Sequence, residues 1–338
     1  MSGHVLVARL DNEGDVLLAG PAIRAVAAGA ARLTLLCGPR GVQAARMLPG
    51  VDDVMVRRAE WIDPHPEPVE RAAIDAFVDE LAARRFDRAI VLGSFHQSPL
   101  PLALLLRMAG VPEVAATSVD YAGSRLDVRH RISDDVHEVE RSLSLVATLG
   151  YALPDGDGGA LRVNRPGTAP LGAGGYVVVH PGASVPARAW APERNAALVA
   201  ALAAEGRRVV VTGGPGEREL TAHVAGAEAT DLGGQTDFAG LADVIAHADC
   251  IVVGNTGPAH LAAAVGTPVV SLYAPTVPAV RWRPWRVPHE LLCVDVPCAG
   301  CRARECPVPG HPCLGGVGVA DVVAAVGRLA PVREVAAA

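Results

Sequence analysis

The chain has 338 residues, more than one hydrophobic core usually serves, so two domains are expected. Half of the residues are hydrophobic. No apolar run approaches the roughly 20 residues of a transmembrane helix, and MSGHVLVARL lacks a basic stretch before a long apolar one, so a cytoplasmic protein without a signal peptide is the expectation. The net charge of −6 argues against broad nucleic-acid binding, and the basic side chains are all arginine, so no lysine can serve as a base or a phosphate ligand.

The first strand is expected at HVLVARL (4–10), followed by the loop DNEGD and a helical stretch DVLLAGPAIRAVAAG. Asp15 stands at that helix start, where capping and the helix dipole favour an acid whether or not it does chemistry. Asp11 and Glu13 carry no comparable positional argument. Strands follow at RLTLLCG (32–38), VDDVMV (51–56) and RAIVLG (88–93). The helix RAAIDAFVDELAARR places Ile74, Phe77, Val78 and Leu81 on one face. Gly93, Ser94 and Gln97, in the stretch 93–110, either line a substrate or have ordinary loop roles.

Residues 152–175 are rich in Gly and Pro, lack periodicity and read as a linker. The strand–helix rhythm then restarts, with strands YVVVH (176–180), RRVVVTG (207–213), CIVVGN (250–255) and PVVSLYAP (268–275) and a last helix over 319–330. The pattern predicts two doubly wound parallel α/β domains, 1–165 and 166–338, facing a central cleft, with the last helix a candidate to pack back on the first domain. Ligands of such sheets sit at the carboxyl ends of the strands, so the loops there are the places to look for chemistry.

The strongest of these loops is IVVGNTGPAHLAAAVG. Free backbone N–H groups at Thr256 and Gly257, ahead of a helix that Pro258 can start, suit an anion, and His260 lies within reach of a phosphate. A plain helix start with Thr256 as the cap is the alternative. In VVVHPGASVPARAWAPE, Ser184 and Arg188 are candidates for a diphosphate, Arg188 through bidentate bonds; a loop with a solvated arginine is the alternative, and His180 reads more readily as a core histidine than as a catalyst. The turn TGGPGE offers Gly213, Gly214 and Glu217 to a nucleotide, with Glu217 a ribose acceptor or an ordinary first-turn acid. In DLGGQTDF, Thr236 is expected to be an N-cap first and a site residue second. A G-x-G-x-x-G after the first strand, G-x-x-x-x-G-K-[ST] and G-x-S-x-G are all missing, which disfavours a dehydrogenase, a P-loop enzyme and a serine hydrolase.

Taken together, the RxxxxGD loop, HPGAS…RxW.PE, TGGPGE, LGGQT and NTGPAHLAAAVGTPVVSLYAPT resemble glycosyltransferase family 9, the ADP-heptose heptosyltransferases of lipopolysaccharide core assembly, over nearly the whole chain. The resemblance implies a GT-B fold and an inverting, metal-independent transfer with no cofactor. It implies a nucleotide-sugar donor, ADP-heptose first, on the second domain, and a glycan or glycolipid acceptor on the first, with peripheral membrane association if that acceptor is lipid-linked. Carried onto this chain, the general base falls on Asp15; Asn12, Gly14 and Gln97 are expected on the acceptor side by their place in the loops after the first and fourth strands. The diphosphate falls on Ser184, Arg188, Thr256, Gly257 and His260, in a turn that Asn255 heads, and the ribose on Glu217; Gly213, Gly214, Thr236 and Asn255 are expected at the nucleotide by their turns after the strands. Two positions depart from the family pattern: Arg188 stands where lysine is known, and Asn255 where aspartate is typical. A sugar-nucleotide 2-epimerase of the same fold and an inactive sugar-nucleotide-binding module are the rival readings.

Five of the seven cysteines crowd at 293–313, and Cys298, Cys301, Cys306 and Cys313 space as C-x2-C-x4-C-x6-C beside His311. That spacing resembles a zinc knuckle, leaving zinc, a disulfide or free thiols open. The Arg- and Trp-rich RWRPWR (281–286) suits stacking on a base or sugar, or an interface loop. Cys37 and Cys250 read as buried thiols.

Overall fold

The computed structural model describes residues 3–172 and 174–331, and the chain divides into two compact units between Asn164 and Arg165. Each unit is built on a six-stranded parallel sheet with helices. The first unit carries β1 (His4–Arg9), β2 (Arg32–Cys37), β3 (Asp53–Val56), β4 (Arg88–Val91), β5 (Val114–Thr117) and β6 (Val128–His130). The second carries β7 (Tyr176–His180), β8 (Arg208–Val211), β9 (Thr230–Asp231), β10 (Cys250–Gly254), β11 (Val269–Leu272) and β12 (His289–Leu292).

The strand orders are β3-β2-β1-β4-β5-β6 and β12-β11-β10-β7-β8-β9. Counted within its own unit, each is the 3-2-1-4-5-6 order of a dinucleotide-type fold, so each sheet reverses direction once, between β1 and β4 and between β7 and β10. The central strands are apolar on both faces because helices cover both: Val5 to Ala8 and Tyr176 to Val179 are all buried. The edge strands β6, β9 and β12 lack such runs and escape the sequence pattern, as does the four-residue β5 beside β6.

Two local features of the first unit matter for its site. The stretch expected as one helix is two, Glu13–Leu18 and Gly20–Gly29, because Pro21 has no N–H to continue the ladder and starts a new helix instead. The segment 100–108, read within an acceptor-side stretch, is the helix Leu100–Met108. In the second unit the last helix, Val319–Leu329, lies on its own unit: Val322, Ala325 and Val326 join a core with Val252, Val270, Leu272 and Leu202. Among the described residues no helix is long and apolar enough to cross a membrane.

Candidate functional site

In the first unit the reversal point of the sheet is occupied by an ion cluster. Arg9 ends β1 and is 1% exposed. Its guanidinium pairs with three carboxylates: Nε lies 2.8 Å from Asp11 without a hydrogen bond, one terminal nitrogen donates to Asp15 at 3.0 Å and the other to Glu138 at 3.3 Å. The nitrogen on Asp15 also donates to Ser94 Oγ at 2.8 Å. Ser94 donates in turn to Asp11 at 3.3 Å, and Gln97 donates to the other Asp11 oxygen. Ser94 and Gln97 follow β4, so the cluster joins the two strands that flank the switch point. A buried charge needs such partners, since an unpaired one costs several kcal/mol or more.

Asp15 lies in the first turn of Glu13–Leu18 but does not cap it. Asn12 holds the N-cap position and makes no side-chain cap bond, while the Asp15 carboxylate turns to Arg9 through Oδ1. Its Oδ2 takes no hydrogen bond from the described residues, and the side chain is 22% exposed against 6% for Asp11 and 1% for Glu138. Asp15 is thus the member of the cluster that reaches solvent. Burial pushes the Asp11 and Glu138 carboxyls up, Arg9 pulls both down, and Asp15 pushes both up again by like charge. Arg9 loses charge stability by burial, yet its three carboxylates hold its pKa above the ordinary value. Glu13, half-buried in the same first turn, is pushed up to about 7 by burial. Asp11 and Glu138 are the residues that local sequence reasoning passes over. Asp11 has no positional signal, and Glu138 arrives from 129 residues beyond Arg9.

In the second unit the corresponding loops also meet at the switch point. Arg188 closes the 3-10 turn Pro186–Arg188 after β7, and its carbonyl lies against the end of β10, where a Cβ on Gly254 would stand 2.7 Å from it. The Arg188 side chain donates to Thr276 Oγ1 at 3.3 Å and to the Asn255 carbonyl at 3.5 Å. The Asn255 amide both donates to the Ala274 carbonyl and accepts from the Ala274 N–H, each at 3.1 Å, so it locks the turn after β10 onto the turn after β11. Thr256 is the N-cap of the helix Gly257–Val265, but its hydroxyl makes no cap bond, and Oγ1 is buried without a hydrogen-bond partner among the described residues. His260 is buried in that helix and Ser184 is exposed in the loop before Pro186.

A second group forms around Glu217. Its carboxylate accepts from the Gly214 N–H at 2.7 Å and lies so close over Gly182 that a Cβ there would be 1.9 Å from Oε1. The Gly213 carbonyl accepts from Gly234 N–H at 2.9 Å, which brings the LGGQT turn to the TGG turn. His180 is buried and shares a hydrogen bond with Thr212 at 3.0 Å; burial lowers its pKa, and Glu217 opposes that. One sequence expectation is corrected here. The cap of the helix Phe238–Ala246 is Asp237, which accepts from Gly240 N–H at 2.7 Å, because a carboxylate one residue nearer the helix outcompetes Thr236.

The cysteine-rich segment is a brace. Ala187 N–H donates to Arg304 at 2.9 Å, Arg302 N–H to Thr276 at 3.0 Å, and buried Trp190 to the Leu314 carbonyl at 3.1 Å. Cys298, Cys301, Cys306, Cys313 and His311 line one cavity of about 40 Å³. All seven cysteines are free thiols, and among the described residues no three His, Cys, Asp or Glu side chains are grouped to hold a metal ion. Trp285 is buried, with Arg286 stacked at 5.4 Å, so it offers no face to a ligand. Burial pushes the Cys37 thiol up to about 11 and that of Cys250 up to about 12.

Residues 74–311 match the sequence family described as glycosyltransferase family 9 (heptosyltransferase). Lipopolysaccharide heptosyltransferase 3 of Escherichia coli is 32% identical over 168 residues, 46% of this chain and 47% of that protein, so the chain spans about half the length of this relative. Lipopolysaccharide heptosyltransferase 1 of E. coli K12 is 29% identical over 222 residues, 62% of this chain and 67% of that one. Among solved structures, the family 9 glycosyltransferase of Veillonella parvula superposes with a TM-score of 0.78 at 17% identity, covering 97% of each chain. E. coli ADP-heptose LPS heptosyltransferase II gives 0.73 at 19% identity, over 96% of this chain and 98% of that one. The fold shared with these structures is GT-B.

Proposed function

The chain belongs to glycosyltransferase family 9, and from that premise we propose that it moves a sugar from a nucleotide-diphospho-sugar to an acceptor hydroxyl with inversion, Asp15 acting as the general base. The observation that carries the reading is the Asp15 carboxylate, tied to Arg9 by one oxygen and open on the other. A base needs a fixed carboxylate with a free, solvent-reaching oxygen, and no other acid of the cluster has one.

The donor is an ADP-sugar, with heptose the first candidate by likeness to the relatives, one of which was solved with ADP-2-deoxy-2-fluoro heptose. Its diphosphate takes the Thr256 and Gly257 N–H groups, the unspent Thr256 hydroxyl, Arg188, Ser184 and His260. Its nucleoside takes Gly213, Gly214, Glu217, Thr236 and the turn that Asn255 locks. Charge builds on the departing diphosphate in the transition state, so Arg188 and the helix N-terminus stabilise it more than they stabilise bound donor. These groups supply positive charge where a metal would otherwise act, which supports a metal-independent transfer. The acceptor, a glycan or a lipid-linked glycan of lipopolysaccharide type, meets Asn12, Gly14 and Gln97 beside Asp15. A lipid-linked acceptor would bring the protein to a membrane surface from the cytoplasm.

A thermal-shift screen of ADP-, UDP- and GDP-sugars identifies the donor class, ADP-sugars giving the largest rise. With donor and acceptor in hand, Asp15→Asn loses about 10²–10⁴-fold in turnover and keeps donor affinity and melting temperature. Near-normal turnover in that variant rejects Asp15 as the base. Product formed from donor without acceptor would instead reveal an epimerase.

A further inference from the structure

We propose that Thr276 is the positioning residue of Arg188, fixing the plane of its guanidinium, and that residues 300–304 of the cysteine-rich segment hold the two turns in register. The consequence for the donor rests on Arg188 as a diphosphate ligand; the contact itself does not.

β11, β10 and β7 are consecutive in the second sheet, so the turns after β7 and β11 flank the end of β10. Arg188 belongs to the first of these turns and Thr276 to the second. Arg188 therefore spans the carboxyl end of β10, and its backbone passes close over Gly254, where a Cβ would stand 2.7 Å from the Arg188 carbonyl oxygen. On the far side, Nε donates to Thr276 Oγ1 at 3.3 Å, while Nη1 donates to the Asn255 carbonyl at 3.5 Å. A guanidinium is a rigid planar fork. A bond at one nitrogen lets the fork turn about that bond, whereas bonds at two nitrogens fix its plane and the direction of its remaining N–H groups. A fork already oriented loses less conformational freedom when an anion binds. A lysine, with a single nitrogen, could not be held in this way.

Thr276 is suited to the task because it is itself held. It is 3% exposed, so its hydroxyl does not swing out to water. Its N–H donates to the Ala274 carbonyl at 2.8 Å, and its carbonyl accepts from Arg302 N–H at 3.0 Å. Gly300 N–H donates to the Pro275 carbonyl at 2.7 Å, and Ala187 N–H donates to the Arg304 carbonyl at 2.9 Å. Backbone bonds from residues 300–304 thus reach both turns, at Pro275 and Thr276 on one side and beside Arg188 on the other. Ala187, Pro275 and Thr276 also line the same cavity as Cys298, Cys301 and Cys306. The cysteine-rich segment thereby takes part in the placing of Arg188, which its spacing in the sequence does not reveal.

The test first reads the contact without a ligand. In protein labelled with ¹⁵N at arginine, the Arg188 Nε–H signal is assigned by its loss in Arg188→Lys, and its exchange with water is measured. Thr276→Val keeps the shape but removes the acceptor, and should speed that exchange about tenfold. Thr276→Ser, which restores the hydroxyl, should return the parent rate. Calorimetry with ADP then reads the consequence. Arg188→Ala should weaken ADP by about tenfold or more and Thr276→Val by about threefold. The double variant should bind no more weakly than Arg188→Ala alone, because Thr276 acts only through Arg188. Unchanged exchange in folded Thr276→Val overturns the proposal. So does a Thr276→Val with parent-like ADP affinity when Arg188→Ala has lost it, and so do losses that simply add. If Thr276→Val does not fold, Thr276→Ala decides by the same criteria. Parent-like ADP affinity in Arg188→Ala would defeat Arg188 as a diphosphate ligand without touching the exchange result.

Discussion

Glu13 and Asp15 are two residues apart in one helical turn, and their surroundings differ. Asp15 has a counter-ion and an open oxygen, the two features on which its proposed role as base rests. Glu13 has burial without a counter-ion among the described residues, and its pKa rises to about 7. A folded-state value above the unfolded one, near 4.5, means that the native protein binds the extra proton between those limits. Stability from this group is therefore present below about pH 4.5 and falls as pH rises towards 7. Glu13→Gln should stabilise the protein at pH 8 by about 2 kcal/mol, flatten that slope, and keep most of its turnover. Chemical melts at pH 4.5 and 8 check the first two points. A turnover loss as large as that of Asp15→Asn would move the base to Glu13. The RxxxxGD spacing marks Asp15 in the sequence. It cannot distinguish a cap from a base, because that depends on the Arg9 contact, and Arg9 itself reads as an ordinary strand-end residue until Glu138 is brought to it.

At the scale of elements, the turns proposed to bind the donor approach one another more closely than side chains would allow. Gly182, after β7, lies under the carboxylate of Glu217, which follows β8. In Gly182→Ala the new methyl would stand 1.9 Å from Glu217 Oε1. The obstacle is the end of a flexible side chain, so Glu217 should swing aside and give up its bond to the Gly214 N–H. The expected result is a small change in melting temperature, within about 1 kcal/mol, with donor KM raised roughly tenfold, the loss of about one good hydrogen bond. Unchanged donor KM would remove Glu217 from the nucleotide site. These turns are legible in the sequence as glycine-rich strand ends, but not their partners. The Asn255 amide bonds to Ala274 and the Arg188 Nε to Thr276, contacts set by the register of neighbouring parallel strands rather than by spacing along the chain. The same limit explains the Thr236 correction, where adjacent Thr and Asp compete for one cap and only the backbone geometry decides.

Over the whole molecule, the two sheets are recognisable from their apolar central strands, and the Gly- and Pro-rich stretch 152–175 includes the point where the units divide. What the composition of that stretch hides is that an aspartate ties it down within each unit. Asp157 accepts from Arg24 at 2.7 and 3.0 Å and from Gly159 N–H at 2.9 Å in the first unit. Asp243 accepts from Arg165, Gly167 and Thr168 in the second, with four bonds between 2.6 and 3.1 Å. The Arg24 contact, with Gly159 and Arg162, holds Asp157 down at about 2. Burial pushes Asp243 up, but its hydrogen bonds outweigh burial and also hold it at about 2. Both folded-state values lie below the unfolded one, near 3.8, so this stability is fully present above that value and is lost as pH falls towards 2. The sign is opposite to that of Glu13, and the two windows do not overlap. Asp243→Asn keeps the shape but turns one acceptor into a donor facing Arg165 and Thr168. It should destabilise the second unit at pH 7 by about 1–3 kcal/mol and should lose less on further acidification than the parent protein. Urea melts at pH 7 and pH 3 separate the two terms. A variant as acid-sensitive as the parent would show that the carboxylate at 243 does not carry the acid limb.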